Sequence, residues 1–202
     1  MKLYHAPGTC SLAPHIVLRE AGLPFTLVKV DLQKHTLPTG EDYHHINPKG
    51  QVPVLELADG TRLTEGPVLA QFIADQAGNT SLMPASGSLD RYRVMAWQNH
   101  ITAELHKSFS PLFTPQFDAN AKALHRSLLR KKYEWIEQQL SPGLFLTGAA
   151  FTAADAYLFA VTRWAKHVDL DLSDLPALMK FMSRVADRPA VQAAMQAEGL
   201  AH

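Results

Sequence analysis

The rhythm of apolar and polar positions changes about two-fifths of the way along the chain. Up to about residue 80, short apolar runs of strand type alternate with helical stripes, and beyond it only helical spacing remains. Lys2 to His5 reads as a strand, Ala6-Pro7-Gly8-Thr9 as a turn, and Ser11 to Ala21 as an amphipathic helix. Phe25 to Val30 is rich in β-branched residues and predicts a second strand. Residues 31–50 are polar and turn-rich. Val54 to Leu57 and Thr61 to Leu63 then flank Asp59-Gly60, a tight-hairpin signal, and a helix follows over about Pro67 to Gln76. The order β-α-β, an irregular stretch, then β-β-α predicts a small α/β unit with a mixed sheet.

Residues 78–88 form a composition break and the expected linker between a first domain over 1–80 and an all-helical one over 87–202. Leu89, Tyr92, Met95, Ile101, Leu105, Phe109 and Leu112 recur at helical spacing along one long helix. Further helices are expected over 121–140, 153–166, 174–187 and 189–197. Thr152 with Asp155 is a helix-start signal, and Phe151 just before it is placed to pack as a staple. There is no internal repeat.

Composition narrows the function classes. The 202 residues are 47% apolar and 19% charged, with 19 basic against 19 acidic side chains. A formal charge of zero argues against a partner chosen by charge, whether nucleic acid or an anionic membrane. The single cysteine forms no internal disulfide, so a cytoplasmic home is expected, and neither a signal peptide nor a membrane span is visible. The ten histidines lack metal-ligand spacing. They are expected to be mostly solvent-facing, with no metal bound.

Three elements carry candidate chemistry. Cys10 lies where a strand gives way to a helix, and unpaired N–H groups and the helix dipole there favour thiolate. Position alone leaves a buried filler and a reactive thiol equally open. Gln51-Val52-Pro53-Val54 opens a strand with proline. A cis Val52–Pro53 bond would turn the Val52 backbone outward to pair with an extended peptide, although an ordinary trans start is the commoner arrangement. In Leu63-Thr64-Glu65-Gly66-Pro67 a helix start offers N–H groups to a carboxylate, and Glu65 offers a partner for an ammonium. Together they suit a short peptide with a central cysteine and a free amino-acid end.

On these residues the chain resembles the bacterial beta-class glutathione S-transferases. The matching pieces are Pro7-Gly8-Thr9-Cys10-Ser11-Leu12-Ala13, Asn47-Pro48-Lys49-Gly50-Gln51-Val52-Pro53 and Leu63-Thr64-Glu65-Gly66. Ala103-Glu104-Leu105-His106-Lys107, Phe151 to Phe159 and Arg188-Pro189 complete the set. The resemblance implies a thioredoxin-like N-terminal domain with a four-stranded mixed sheet, an all-helical C-terminal domain, a homodimer and a cis Val52–Pro53 bond. It implies a transferase that joins the glutathione thiolate to small hydrophobic electrophiles, with glutathione as co-substrate and no permanently bound cofactor. Val52, with Gln51 and Pro53 beside it, would hold the cysteinyl backbone, and Glu65 and Gly66 the γ-glutamyl end. Cys10 would lie beside the glutathione sulfur, able to form a mixed disulfide with it. Asn99, Ala103, Glu104 and His106 would close the site, His106 as a donor or base.

Spacing adds to that last point, because Asn99 and His106 lie about two α-helical turns apart with Ala103 between them on one face. Two departures from the family pattern stand out. His5 occupies a usual tyrosine position, and His35 a usual lysine position that would meet the glycine carboxylate of glutathione. Neighbouring Lys34 is a possible substitute. Phe109, Phe113, Trp164 and His167 are candidates for the acceptor pocket. Two other activities fit the same residues: a glutathione-dependent thiol–disulfide oxidoreductase or peroxidase, and a non-catalytic binding or regulatory module.

Overall fold

A computed structural model describes residues 1–141 and 143–200. The first part is a four-stranded mixed sheet in the order β2-β1-β3-β4, from β1 (Lys2–His5), β2 (Thr26–Lys29), β3 (Val54–Glu56) and β4 (Arg62–Thr64). β1 runs parallel to β2 and antiparallel to β3, which runs antiparallel to β4. The two-residue alternation of the sequence sorts side chains onto two faces. Leu3, Leu27 and Leu55 meet α1 (Leu12–Glu20) and α2 (Gly66–Gln76) in the main core. Tyr4, Val28 and Val54 join Leu37, Tyr43 and Val52 in a smaller cluster beneath residues 31–50. Asp31 and Thr36 make an isolated bridge there, and a 3-10 turn spans Tyr43–His45.

The second part is helical: α3 (Leu89–His100), α4 (Lys107–Phe113), α5 (Ala119–Leu140), α6 (Ala153–Thr162), α7 (Pro176–Ala186) and α8 (Pro189–Ala197). Every residue of α6 is buried, and α6 packs against α1 so that one core runs through both parts. The start of α6 is built as its sequence signal predicts. Thr152 N–H and Oγ1–H both donate to Asp155, at 2.8 and 2.7 Å, and Leu146 N–H donates to the other carboxylate oxygen at 2.9 Å. Phe151 is buried there, edge-on to Phe145 and beneath the Arg188 guanidinium.

Two expectations change. The long helix expected from Leu89 to Leu112 is interrupted by a π-helical segment, Ile101–His106. The wider turn leaves carbonyls to be met by side chains. Thr102 Oγ1 donates to Gln98 O at 2.8 Å, while Ser108 Oγ and Lys132 Nζ donate to Glu104 O at 2.6 and 3.0 Å. Leu89 and Tyr92, taken as part of its apolar stripe, are largely exposed. The histidines are also not mostly solvent-facing: among the described ones only His44, His45 and His167 are exposed, and His5 and His15 are buried beside Glu198.

Candidate active site

Cys10 closes the loop between β1 and α1. Thr9 N–H donates to Ala6 O, Thr9 Oγ1 donates to the same carbonyl at 2.8 Å, and Gly8 takes a positive φ of 73° that suits glycine. The far end of the chain grips this loop on both sides. Gly8 N–H donates to Glu198 Oε2 at 3.0 Å, and Trp164 Nε1–H donates to Gly8 O at 2.8 Å. The other oxygen of Glu198 lies 2.8 Å from His15 Nδ1, and Arg19 Nε–H donates to His15 Nε2 at 2.9 Å. Because Nε2 accepts, Nδ1 carries the ring proton and donates it, so His15 is a neutral link between guanidinium and carboxylate. Burial, outweighing the opposing contact with Glu198, sets it below the ordinary histidine value. Burial opposes ionisation of Glu198 too, yet the bonds from His15 and Gly8, with the His5 ring 3.6 Å away, outweigh it and hold the carboxyl at about 2.

The Cys10 sulfur donates to Val52 O at 3.5 Å. Burial pushes the thiol up to about 11, against the opposing pull of its own N–H and that of Ser11. This corrects the expected bias toward thiolate: the helix terminus contributes, but desolvation outweighs it. The Val52–Pro53 peptide is cis. Tyr43 Oη–H and Asn47 Nδ2–H both donate to Gln51 O, at 2.9 and 2.6 Å, which braces the segment. Among the described residues Val52 N–H makes no hydrogen bond, so the strand edge before β3 is open to an extended peptide. His35 packs against His44 with ring centroids 4.6 Å apart, and both rings crowd Gly50, where an added Cβ would meet them at 2.9–3.0 Å.

Glu65 sits at the start of α2 with φ 68°, a strained conformation for a residue with a side chain. Its carbonyl accepts from Val68 and Leu69 N–H, while its carboxylate stands exposed and 2.6 Å from Lys49 Nζ. An ammonium arriving at Glu65 meets Lys49 as a competitor.

His106 Nδ1 lies 2.6 Å from Tyr157 Oη, and its ring stands edge-on to Trp164 at 4.9 Å. Burial, with a smaller effect from Lys107, lowers His106 to about 4, so the ring is neutral. Burial raises the Tyr157 phenol far above its ordinary value, and Cys10 and Glu65 also act on it. Tyr157 touches His106, His106 stacks edge-on to Trp164, and Trp164 bonds Gly8 O, so these contacts lead to the Cys10 loop. Phe109, Phe113 and Trp164 form an aromatic group at that wall, with centroids 5.5–6.4 Å apart and Phe113 half exposed. His167 is exposed and shows no ring contact with them.

The π segment corrects the face argument. A wider turn advances the chain by roughly one residue, so Asn99 and Ala103 no longer line up with His106. Both are exposed, and Glu104 pairs with Lys132 at 2.8 Å. Tyr157 was not singled out from the sequence. A hydroxyl in the otherwise apolar run 156–161 is the signal that could have found it, since a buried phenol needs a partner. Among the described residues no group of three or more histidine, cysteine or acidic side chains is placed to hold a metal ion, and no helix is long and apolar enough to cross a membrane.

The chain is similar to known proteins over its whole length. The family profile "Glutathione S-transferase, N-terminal domain" matches residues 8–76, and "Glutathione S-transferase, C-terminal domain" matches 96–197. The chain is 49% identical over 200 residues to glutathione S-transferase GstA of Escherichia coli O157:H7, covering 99% of this chain and 100% of that one. A sphingomonad glutathione S-transferase solved in complex with glutathione superposes with a TM-score of 0.95 at 44% identity, over 100% of both chains. A beta-class enzyme from Sphingomonas chungbukensis gives 0.96 at 42% identity, also over 100% of both.

Proposed function

The chain belongs to the glutathione S-transferase family, and from that premise we propose that it conjugates the glutathione thiolate to small hydrophobic electrophiles. The observation that carries this reading is the convergence of Cys10, the open Val52 edge beside cis Pro53, Glu65 at a helix start, and the His106–Tyr157 pair. Glutathione enters as a substrate. Its cysteinyl backbone pairs with Val52, flanked by Gln51 and Pro53, and its γ-glutamyl ammonium and carboxylate take Glu65 and the Gly66 N–H. His35, with Lys34 near it, receives the glycine carboxylate. His106 borders the site from the helical part, 87–202, against the sheet domain, 1–80, while Asn99, Ala103 and Glu104 lie off its face and take no role in this reading.

The chemistry asks the protein to make a thiolate at neutral pH. The glutathione thiol gives its proton to water in the cleft, hydrogen bonds from His106 and Cys10 stabilise the charge left on sulfur, and the sulfur attacks the electrophilic carbon. A C–S bond forms, and the electron pair displaced leaves with an anionic group or is protonated. Phe113 and Trp164 supply apolar surface for the acceptor, while Phe109, a candidate from the sequence, is fully buried and only packs behind them. Cys10, held as a thiol by its surroundings, serves here as a donor to that sulfur rather than as the nucleophile. A second reaction needs the minor fraction of Cys10 that ionises. The Cys10 thiolate attacks a sulfur of glutathione disulfide, giving a Cys10–glutathione mixed disulfide and releasing one glutathione thiolate.

A homodimer is part of this reading, supported by Val68, Leu89 and Tyr92, which expose 49%, 65% and 57% of their surface on α2 and α3. A cytoplasmic location follows from a function that keeps Cys10 reduced. The test is thioether formation from glutathione and an activated aryl halide, with light scattering for the dimer. Tight glutathione binding with no turnover across an electrophile panel would replace the transferase with a binding module.

A further inference from the structure

We propose that Tyr157 is a positioning residue that sets the tautomer of His106 and so decides which ring nitrogen offers its proton to the cleft. This rests on the reading of the cleft as the glutathione site. His106 is neutral, so one ring nitrogen carries a proton and the other a lone pair. Nδ1 lies 2.6 Å from Tyr157 Oη, and either atom is able to donate.

Burial chooses between them. Tyr157 is 5% exposed, and His106 Nδ1 is the partner its hydroxyl meets at hydrogen-bond distance, with the Thr102 oxygen the one other acceptor acting on it. If Nδ1–H donated to the phenol oxygen, the phenol proton would be left buried and unpaired, which costs more than a lost bond in water. Donation from Oη–H to Nδ1 removes that penalty and puts the ring proton on Nε2. That nitrogen makes no hydrogen bond among the described residues, yet it is not one of the sealed, unpartnered polar atoms, so it opens to the cleft. The Trp164 contact holds the ring plane, and the same indole ties to Gly8 O in the Cys10 loop. One arrangement competes. Thr102 also acts on the phenol, and its own hydroxyl proton is committed to Gln98 O, so it offers only a lone pair. A phenol turned to Thr102 would accept from His106 and leave the proton on Nδ1. The charged and titratable groups facing the pair are Lys107, Cys10 and Glu65.

The test reads the tautomer directly, by side-chain nitrogen NMR with the His106 signal assigned through a His106→Gln variant. The expected wild-type ring is protonated on Nε2. In Tyr157→Phe, which keeps the aromatic contact, the two tautomers mix. There kcat is expected to fall three- to tenfold with little change in KM for glutathione, and the kcat/KM limb to move to higher pH. A wild-type ring protonated on Nδ1, or an unchanged Nε2–H tautomer in the phenylalanine variant, overturns the proposal. If Tyr157→Phe fails to fold, the wild-type spectrum still decides. If wild-type protein turns over no electrophile, the transferase reading fails, while the spectrum judges the tautomer on its own.

Discussion

Replacing Glu198 by glutamine should destabilise the protein in a way that depends strongly on pH. In the native state burial works against the carboxylate, but His15, His5 and Gly8 N–H outweigh it and hold the group at about 2, against an ordinary 4.5. A folded value below the unfolded one contributes stability that is present above the unfolded value and lost as pH falls toward the folded one. The full difference is worth about 3 kcal/mol at pH 7 and about half of that at pH 3. His15 adds to the slope with the same sign. Its folded value is lowered, so unfolding takes up a proton below about 6.5, and stability declines from there downward. Glutamine keeps the size of the side chain and removes the charge that His15 and Gly8 answer. Urea unfolding of both proteins at pH 8, 6, 4 and 3 measures the gap. It should be about 3 kcal/mol at the two higher values and narrow below pH 4.5. A gap equal at pH 8 and pH 3, or under 1 kcal/mol throughout, would refute the argument that this carboxylate is stabilised as an anion.

Cys10→Ala should retain most conjugation of an aryl halide while losing the glutathione adduct that mass spectrometry detects after treatment with glutathione disulfide. Loss of conjugation by a hundredfold or more would make Cys10 part of the transfer step itself. Glu65→Ala should raise KM for glutathione about tenfold, since one charge-assisted contact is removed from an exposed position, with kcat changed less; a kcat-only defect would place the γ-glutamyl end elsewhere. Asp155→Ala should cost about 2–4 kcal/mol in denaturant unfolding, because Thr152 N–H and Leu146 N–H lose a buried acceptor. A cost below 1 kcal/mol would mean that neither N–H depends on it.

What was legible in the sequence is what local rules decide. Alternation along Lys2–His5 and Val54–Glu56 sorts Leu3 and Leu55 to one face and Tyr4 and Val54 to the other, with no information from distant residues. Thr152 and Asp155 lie three apart and close their own helix start. The less legible features arise between segments far apart in the chain. No local pattern marks a π turn at Ile101–His106. It is stabilised by Lys132 reaching from α5 to a carbonyl 28 residues away, and it shifts the faces that α-helical counting assigns to Asn99 and His106. The ionisation of Cys10 follows the same logic. Its place before α1 is visible in sequence and favours an anion, but folding brings Val52 O against its sulfur from 42 residues away, and burial there outweighs the helix terminus. His5 and His15 look like polar residues until Glu198, 183 positions beyond His15, supplies a buried partner. The consequence is chemical as well as structural. A cleft whose cysteine is held as a thiol and whose histidine is held neutral has proton donors ready for a sulfur anion that arrives with the substrate, and this favours glutathione's own sulfur over Cys10 as the nucleophile.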